Sequence, residues 1–208
     1  MSTAGWAWLA SVLAFAAAMS ATPGPNNAML AASGATWGLR RTLPHMLGVA
    51  LGFPAMLVAV ALGAGAPLRA WPWLQGAMRW VGAAYLLWLA WHIATARPAA
   101  GGAAAEAGRK RPFTFAQAAL FQWVNPKAWV IAIGAVVTYT SASRGSLVGQ
   151  SLALASTFLV VTLPTTLLWA SVGVGAAKVL RTPGPLRAFN VVLAVLLVAS
   201  LLPLLRGE

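Results

Sequence analysis

The sequence predicts an all-α fold: a polytopic membrane helix bundle of about six transmembrane helices, made of two three-helix inverted repeats with broken first helices. Three observations predict it. Sixty percent of the 208 residues are apolar and only 8% are charged, where a soluble domain carries about a quarter charged residues. The apolar residues fall into six runs, each near the roughly twenty residues that cross a bilayer. Two interruptions rich in Pro and Asn, at Pro25 and Pro126, lie 101 residues apart in a chain whose half-length is 104.

A chain this short cannot hide so much apolar surface in one core, because its exterior would still need side chains that tolerate water. The solvent is therefore lipid, and the whole of 1–208 reads as one membrane domain: a first half 1–96, a cytoplasmic linker 97–112 and a second half 113–208. The first run, 6–21, meets Thr22-Pro23-Gly24-Pro25-Asn26-Asn27 and continues as a shorter piece to Trp37. No Lys or Arg precedes Trp6, so this run reads as a retained span, although Ala16-Ala17-Ala18 resembles a cleavage site. The second and third runs, 43–65 and 71–96, read as a tight helical hairpin, with Trp71, Trp73 and Trp80 where an aromatic belt would lie.

The connector that follows is rich in Ala and Gly, contains Glu106 and ends in Arg109-Lys110-Arg111; this composition predicts disorder. The fourth run starts near Phe113, is interrupted by Gln122-Trp123-Val124-Asn125-Pro126-Lys127 and resumes to about Tyr139. Runs 147–177 and 189–205 complete the chain, the former so long that it must tilt or end early. Six spans place nine basic residues of the connectors (Arg40, Arg41, Arg97, Arg109, Lys110, Arg111, Lys178, Arg181, Arg187) on one side. Basic connectors stay in the cytoplasm, which puts both termini outside.

A net charge of +12 raises nucleic acid as a partner, but charges spread over short connectors are membrane anchors, and no nucleic acid is expected. The absence of cysteine removes disulfides, thiolate metal sites and dithiol redox chemistry. The only carboxylates are Glu106 and Glu208, with no Asp at all. That excludes an intramembrane carboxylate relay and disfavours metal sites, ion export and hydrolysis. Ser33 and Ser171 have no evident base beside them in sequence, so a membrane-embedded enzyme is the remote alternative. No cofactor is expected.

The chemistry is expected at the interruptions. Paired, Pro-broken segments at matching positions in two halves point to a transport site between inverted repeats, the bland alternative being two kinked helices. Each break carries Asn, and an amide left in hydrocarbon without partners costs several kcal/mol, so Asn26, Asn27 and Asn125 are expected to line a wet or protein-filled cavity. Asn125-Pro126 has the order of a helix restart, Asn capping and Pro at the first helical position. The restarted helix would present the amides of Lys127, Ala128 and Trp129 to an anion, reinforced by the Lys127 ammonium. Lys at mid-membrane costs about 2.5 to 3.5 kcal/mol on insertion scales, so Lys127 either lines this path or snorkels to an interface.

Arg79, about six residues inside the third run, reads as an anchor. His45 and His92 lie near span ends, where each is a proton-coupling candidate or a hydrogen-bonded anchor. Gln117, Thr162, Thr165, Thr166 and Asn190 are further polar groups within spans, and Pro164 loosens the fifth. Gly48 and Gly52 form a GxxxG pair and Gly173 and Gly175 add small residues, so close helix packing is expected and a homodimer is left open.

Thr22-Pro23-Gly24-Pro25-Asn26-Asn27, Ala32-Ser33-Gly34 and Gln122-Trp123-Val124-Asn125-Pro126-Lys127-Ala128-Trp129 together resemble the signature motifs of LysE/RhtB-family translocators. The stretch from Gly82 to Trp91 and Asn190 heading the last helix also fit, and the similarity spans essentially the whole chain. The resemblance implies bacterial inner-membrane efflux of amino acids or derivatives, driven by the proton gradient, with Thr22 to Asn27, Gln122, Asn125, Pro126 and Lys127 along the path. It is most similar to the cysteine and O-acetylserine exporter branch, while homoserine, threonine, leucine and lysine branches remain open. Many members carry an acid after a glycine in the second span; here Phe53 follows Gly52. A site without acids favours small neutral zwitterions over cationic amino acids, the carboxylate going to helix amino ends and Lys127, the ammonium to amide and main-chain oxygens.

Overall fold

The computed structural model describes residues 3–66, 70–95, 111–141, 145–180 and 183–199. Among these every regular element is helical: α1 (Thr3–Ala21), α2 (Pro25–Ala59) running into a short π-helical turn (Val60–Ala64), α3 (Pro72–Thr95), α4 (Phe115–Val124), α5 (Pro126–Tyr139), α6 (Leu147–Val179) and α7 (Pro183–Ala199). Residues 97–110 of the polar connector, on which the expected disorder falls, and the end of the last run lie outside the described residues.

Three stretches, Thr3–Ala21, Pro25–Ala64 and Leu147–Val179, are long and apolar enough to cross a membrane. A fourth is formed when α4 and α5 are taken as one span bent by 72°. Outward-facing Leu152, Val160, Leu167 and Leu168 on α6 and Val137 on α5 are exposed, as a lipid-facing surface requires.

The break between α4 and α5 falls where the sequence places it. Thr114 caps α4, accepting from the Gln117 amide while the Gln117 side chain accepts from the Thr114 amide, a reciprocal capping box. The first run ends where the sequence places it, after Trp37: the chain turns at the single non-helical residue Gly38 (φ 73°, ψ 170°), and Arg40 and Arg41 lie exposed at the start of the next helical stretch. Only glycine adopts that region without strain. Runs two and three do not form a tight hairpin, since α3 packs chiefly on α7. Run five is one helix of 33 residues, about 50 Å long, so of the two outcomes expected for it the tilt is the one that remains.

The dominant contact is between α2 and α6, followed by α2 with α4, so elements from the two halves of the chain interleave. Small residues set these seams. A Cβ on Gly34 would strike the Ala170 carbonyl, and one on Gly173 would strike that of Ala31; α2 and α6 touch main chain to main chain. Gly48 and Gly52 admit α4 in the same way, the latter with Ala119 Cα 2.6 Å from where a Cβ would stand. These glycine faces are used within the chain. Two apolar clusters result: one holds Leu30, Val49, Leu86, Phe121 and Leu197, the other Val12, Phe53, Phe158 and Ile131. The cavity described next lies where they meet.

Gly173→Ala is expected to destabilise by about 1–3 kcal/mol, since the obstructing atoms are backbone and the helices must part. Gly175→Ala, where a Cβ meets nothing, is expected to be near neutral. Thermal unfolding of both variants in detergent checks the pair, equal effects contradicting the seam.

Candidate functional site

The two breaks, about a hundred residues apart in sequence, meet. At the second, Asn125 ends α4 in an extended conformation and caps α5, its side chain accepting from the Lys127 amide at 3.1 Å. Pro126 has no N–H, so the Gln122 carbonyl is served instead by the Asn125 amide at 3.3 Å. The Trp123 carbonyl accepts from the Trp129 indole at 2.8 Å. At the first break α1 stops at Ala21 and α2 restarts at Pro25. Asn27 donates to the Ser20 carbonyl at 2.8 Å and to that of Thr22 at 2.9 Å, and the Thr22 hydroxyl donates to Met19 at 3.0 Å.

Two links join the breaks. Asn26 Nδ2 donates to Gln122 Oε1 at 2.8 Å and Gln122 Nε2 donates back to Asn26 Oδ1 at 3.1 Å, a reciprocal amide pair between the halves. Lys127 Nζ donates to the Thr22 carbonyl and hydroxyl, each at 2.9 Å, and to the Pro23 carbonyl at 3.2 Å. All three ammonium protons are used, and the positive charge sits at the carboxyl end of α1, where the helix dipole favours it. Gly24 makes room: a Cβ there would lie 2.9 Å from Lys127 Cδ and Nζ. Gly82 of α3 lets Pro126 approach, with Pro126 Cδ 3.0 Å from the position of its absent Cβ.

The expected anion site of free amides is corrected by this geometry. The Lys127 amide goes to the Asn125 side chain, while those of Ala128 and Trp129 both reach the Asn125 carbonyl, at 3.0 and 3.3 Å. One residue thus consumes all three donors, because a break in an apolar medium must satisfy its main chain from nearby. The positive charge in the lining is that of the Lys127 ammonium, itself bonded to the first break.

A cavity of about 50 Å³ opens beside the breaks. A water needs about 10–15 Å³ on this measure, so the space is that of roughly four waters. Of the sequence-predicted residues, Gly24, Pro25, Asn26, Asn27, Asn125 and Lys127 line it. Thr22, Pro23, Gln122 and Pro126 stand behind them, in contact with the lining but not part of it. Thr162, Thr165 and Thr166 of α6 form a facing wall. His45 lies elsewhere, buried with its ring centroid 5.0 Å from that of Phe113; the His92 side chain lies outside the described residues. Asn190 is buried on α7, away from the lining.

Sequence reasoning missed the apolar lining: Val49, Phe53, Ile131 and Phe158. Phe53 had a signal in its place after Gly52, but nothing distinguishes Phe158 from other apolar residues of its helix. From these a row of rings runs away from the breaks. Phe53 meets Phe158 at 5.2 Å, Phe158 meets Phe15 at 6.2 Å and Phe15 meets Tyr139 at 5.6 Å. Tyr139 in turn meets Trp8 at 6.5 Å and is fastened by the Trp8 indole, which donates to its carbonyl at 3.2 Å.

A family model described as LysE type translocator matches residues 17–206. The chain belongs to the LysE family of translocators. It is therefore a multi-pass membrane transporter and not an enzyme. A cysteine/O-acetylserine efflux protein of Salmonella typhimurium is 35% identical over 182 residues, covering 85% of this chain and 87% of that protein. One of Escherichia coli is 33% identical over 185 residues, with the same coverage. No solved structure matches the chain.

The amide pair makes a quantitative expectation. Removing either Asn26 or Gln122 leaves the other half-satisfied in a low-dielectric setting, so the two losses should not add. A double-mutant cycle with Asn26→Ala and Gln122→Ala, read by thermal unfolding in detergent, is expected to give a coupling of about 1 kcal/mol or more. Simple additivity would mean that the halves are not joined here.

Proposed function

We propose that this translocator exports small neutral amino acids or their derivatives, of the cysteine and O-acetylserine kind, from the cytoplasm across the bacterial inner membrane in exchange for protons. The observation that carries the reading is the cavity between the two breaks, small and walled by amides, threonines and one lysine, with no carboxylate in its lining. A cationic side chain would find no counter-ion there, which disfavours lysine or arginine as cargo. The relatives named for cysteine and O-acetylserine efflux support the same class.

In this mechanism the substrate carboxylate competes with the Thr22 and Pro23 oxygens for the Lys127 ammonium. A carboxylate brings a full negative charge to the ammonium, which the neutral Thr22 and Pro23 oxygens lack, so binding releases the tie between α1 and α5. The substrate ammonium takes the Asn26 and main-chain oxygens at the first break. With basic connectors in the cytoplasm and both termini outside, the ring row from Phe158 to Trp8 closes the outer side, and releasing α1 opens it. A zwitterion carries no net charge, so exchange for one entering proton adds about 2.3 kcal/mol per 100 mV of drive. His45 and His92 are the proposed proton carriers.

Overexpression should confer resistance to toxic levels of one amino acid or analogue, which names the substrate class. Lys127→Ala and Lys127→Gln are expected to abolish that resistance at unchanged membrane abundance, the second retaining hydrogen bonds but not charge. A parallel loss of protein would assign Lys127 a structural role only. In proteoliposomes loaded with substrate, an imposed proton gradient is expected to accelerate efflux several-fold; equal rates with and without it would indicate facilitated diffusion.

A further inference from the structure

Three threonines of α6 line the cavity, and they use their hydroxyls differently. Thr165 donates to the Val161 carbonyl at 2.8 Å and Thr166 to that of Leu163 at 2.9 Å, the usual recourse of a hydroxyl within a helix. Thr162 is 93% buried, with 7% of its surface exposed, and its hydroxyl has no partner among the described residues. A buried hydroxyl without a partner costs about 1–3 kcal/mol. Its neighbours avoid that cost by donating to the helix's own carbonyls; Thr162 does not, and its side chain borders the cavity, so a polar substrate atom placed against it would satisfy the buried hydroxyl.

The lining of the cavity carries two kinds of chemistry. The breaks supply a cation and three amides, which suit a zwitterionic head; Phe53, Phe158 and Ile131 supply apolar walls, which suit a short side chain. We propose that Thr162 is a specificity-determining residue: it hydrogen-bonds the neutral polar atom of the substrate's side chain, a thiol, hydroxyl or ester oxygen, while the rings exclude charge and length. This assignment rests on the export reading above and goes beyond it in naming which residue separates polar from aliphatic cargo. A site that hydrogen-bonds a substrate group rejects an isostere lacking it more strongly than an apolar pocket rejects an added methylene, because the protein group is left unpaired.

The test compares cysteine, kept reduced, with 2-aminobutyrate, which replaces the thiol by a methyl of similar size, as competing cargo in proteoliposomes. The native protein is expected to favour cysteine, and Thr162→Val, which keeps the shape and removes the hydroxyl, to lower the cysteine to 2-aminobutyrate ratio about three- to tenfold. Thr162→Ser is expected to restore the ratio, which a merely structural role would not do. A ratio unmoved in Thr162→Val, or both rates falling together without rescue by Ser, overturns the assignment while leaving export intact. Absence of transport of either compound by the native protein overturns the export reading for this class and the assignment with it.

Discussion

Inside a bilayer no water waits to satisfy a main chain that has left its helix, so each break must find its partners within the protein. Here the partners of one break are largely the other break. Lys127 holds the oxygens of Thr22 and Pro23, Asn26 and Gln122 hold each other, and Asn27 and Asn125 settle the ends that remain. Two defects that would each be costly alone become a single polar island when brought together, and bringing them together requires that the halves of the chain interleave.

That requirement explains the distribution of small residues. A polar island can form only if α2 reaches α6 and α4 without side chains in between, which Gly34, Gly48, Gly52 and Gly173 permit. In lipid, close contact of this kind stands in for the hydrophobic drive that water would supply. The apolar clusters then gather on either side of the island, and the cavity is what remains between their edges and the breaks.

Local chemistry was the legible part. Asn125 as a cap and Pro126 as a first helical residue are decided by neighbours a few positions away, and so could be read from the chain; Thr114 with Gln117 is equally local but went unread, Gln117 being taken as a polar group within the span; the pairing of the breaks followed from their matching positions. What depends on distant partners was not legible. The preference of α3 for α7 over α2 is a matter of surface fit, and the donors expected to await an anion were taken by Asn125, whose reach depends on its exact backbone angle. Phe158 lines the cavity on account of which way α6 faces, and an apolar helix with a small moment does not disclose its facing.

The backbone contact between α2 and α6 has a mechanical consequence. Where helices meet through leucines and phenylalanines, a sliding motion can be absorbed by rotamer changes, one side chain at a time. At Gly34 and Gly173 there is nothing to rotate: carbonyl lies against α-carbon, and the only freedoms are to separate or to pivot in place. The seam of α2 and α6 therefore resists sliding, and a rearrangement of the bundle is expected to pivot about this crossing rather than shift it.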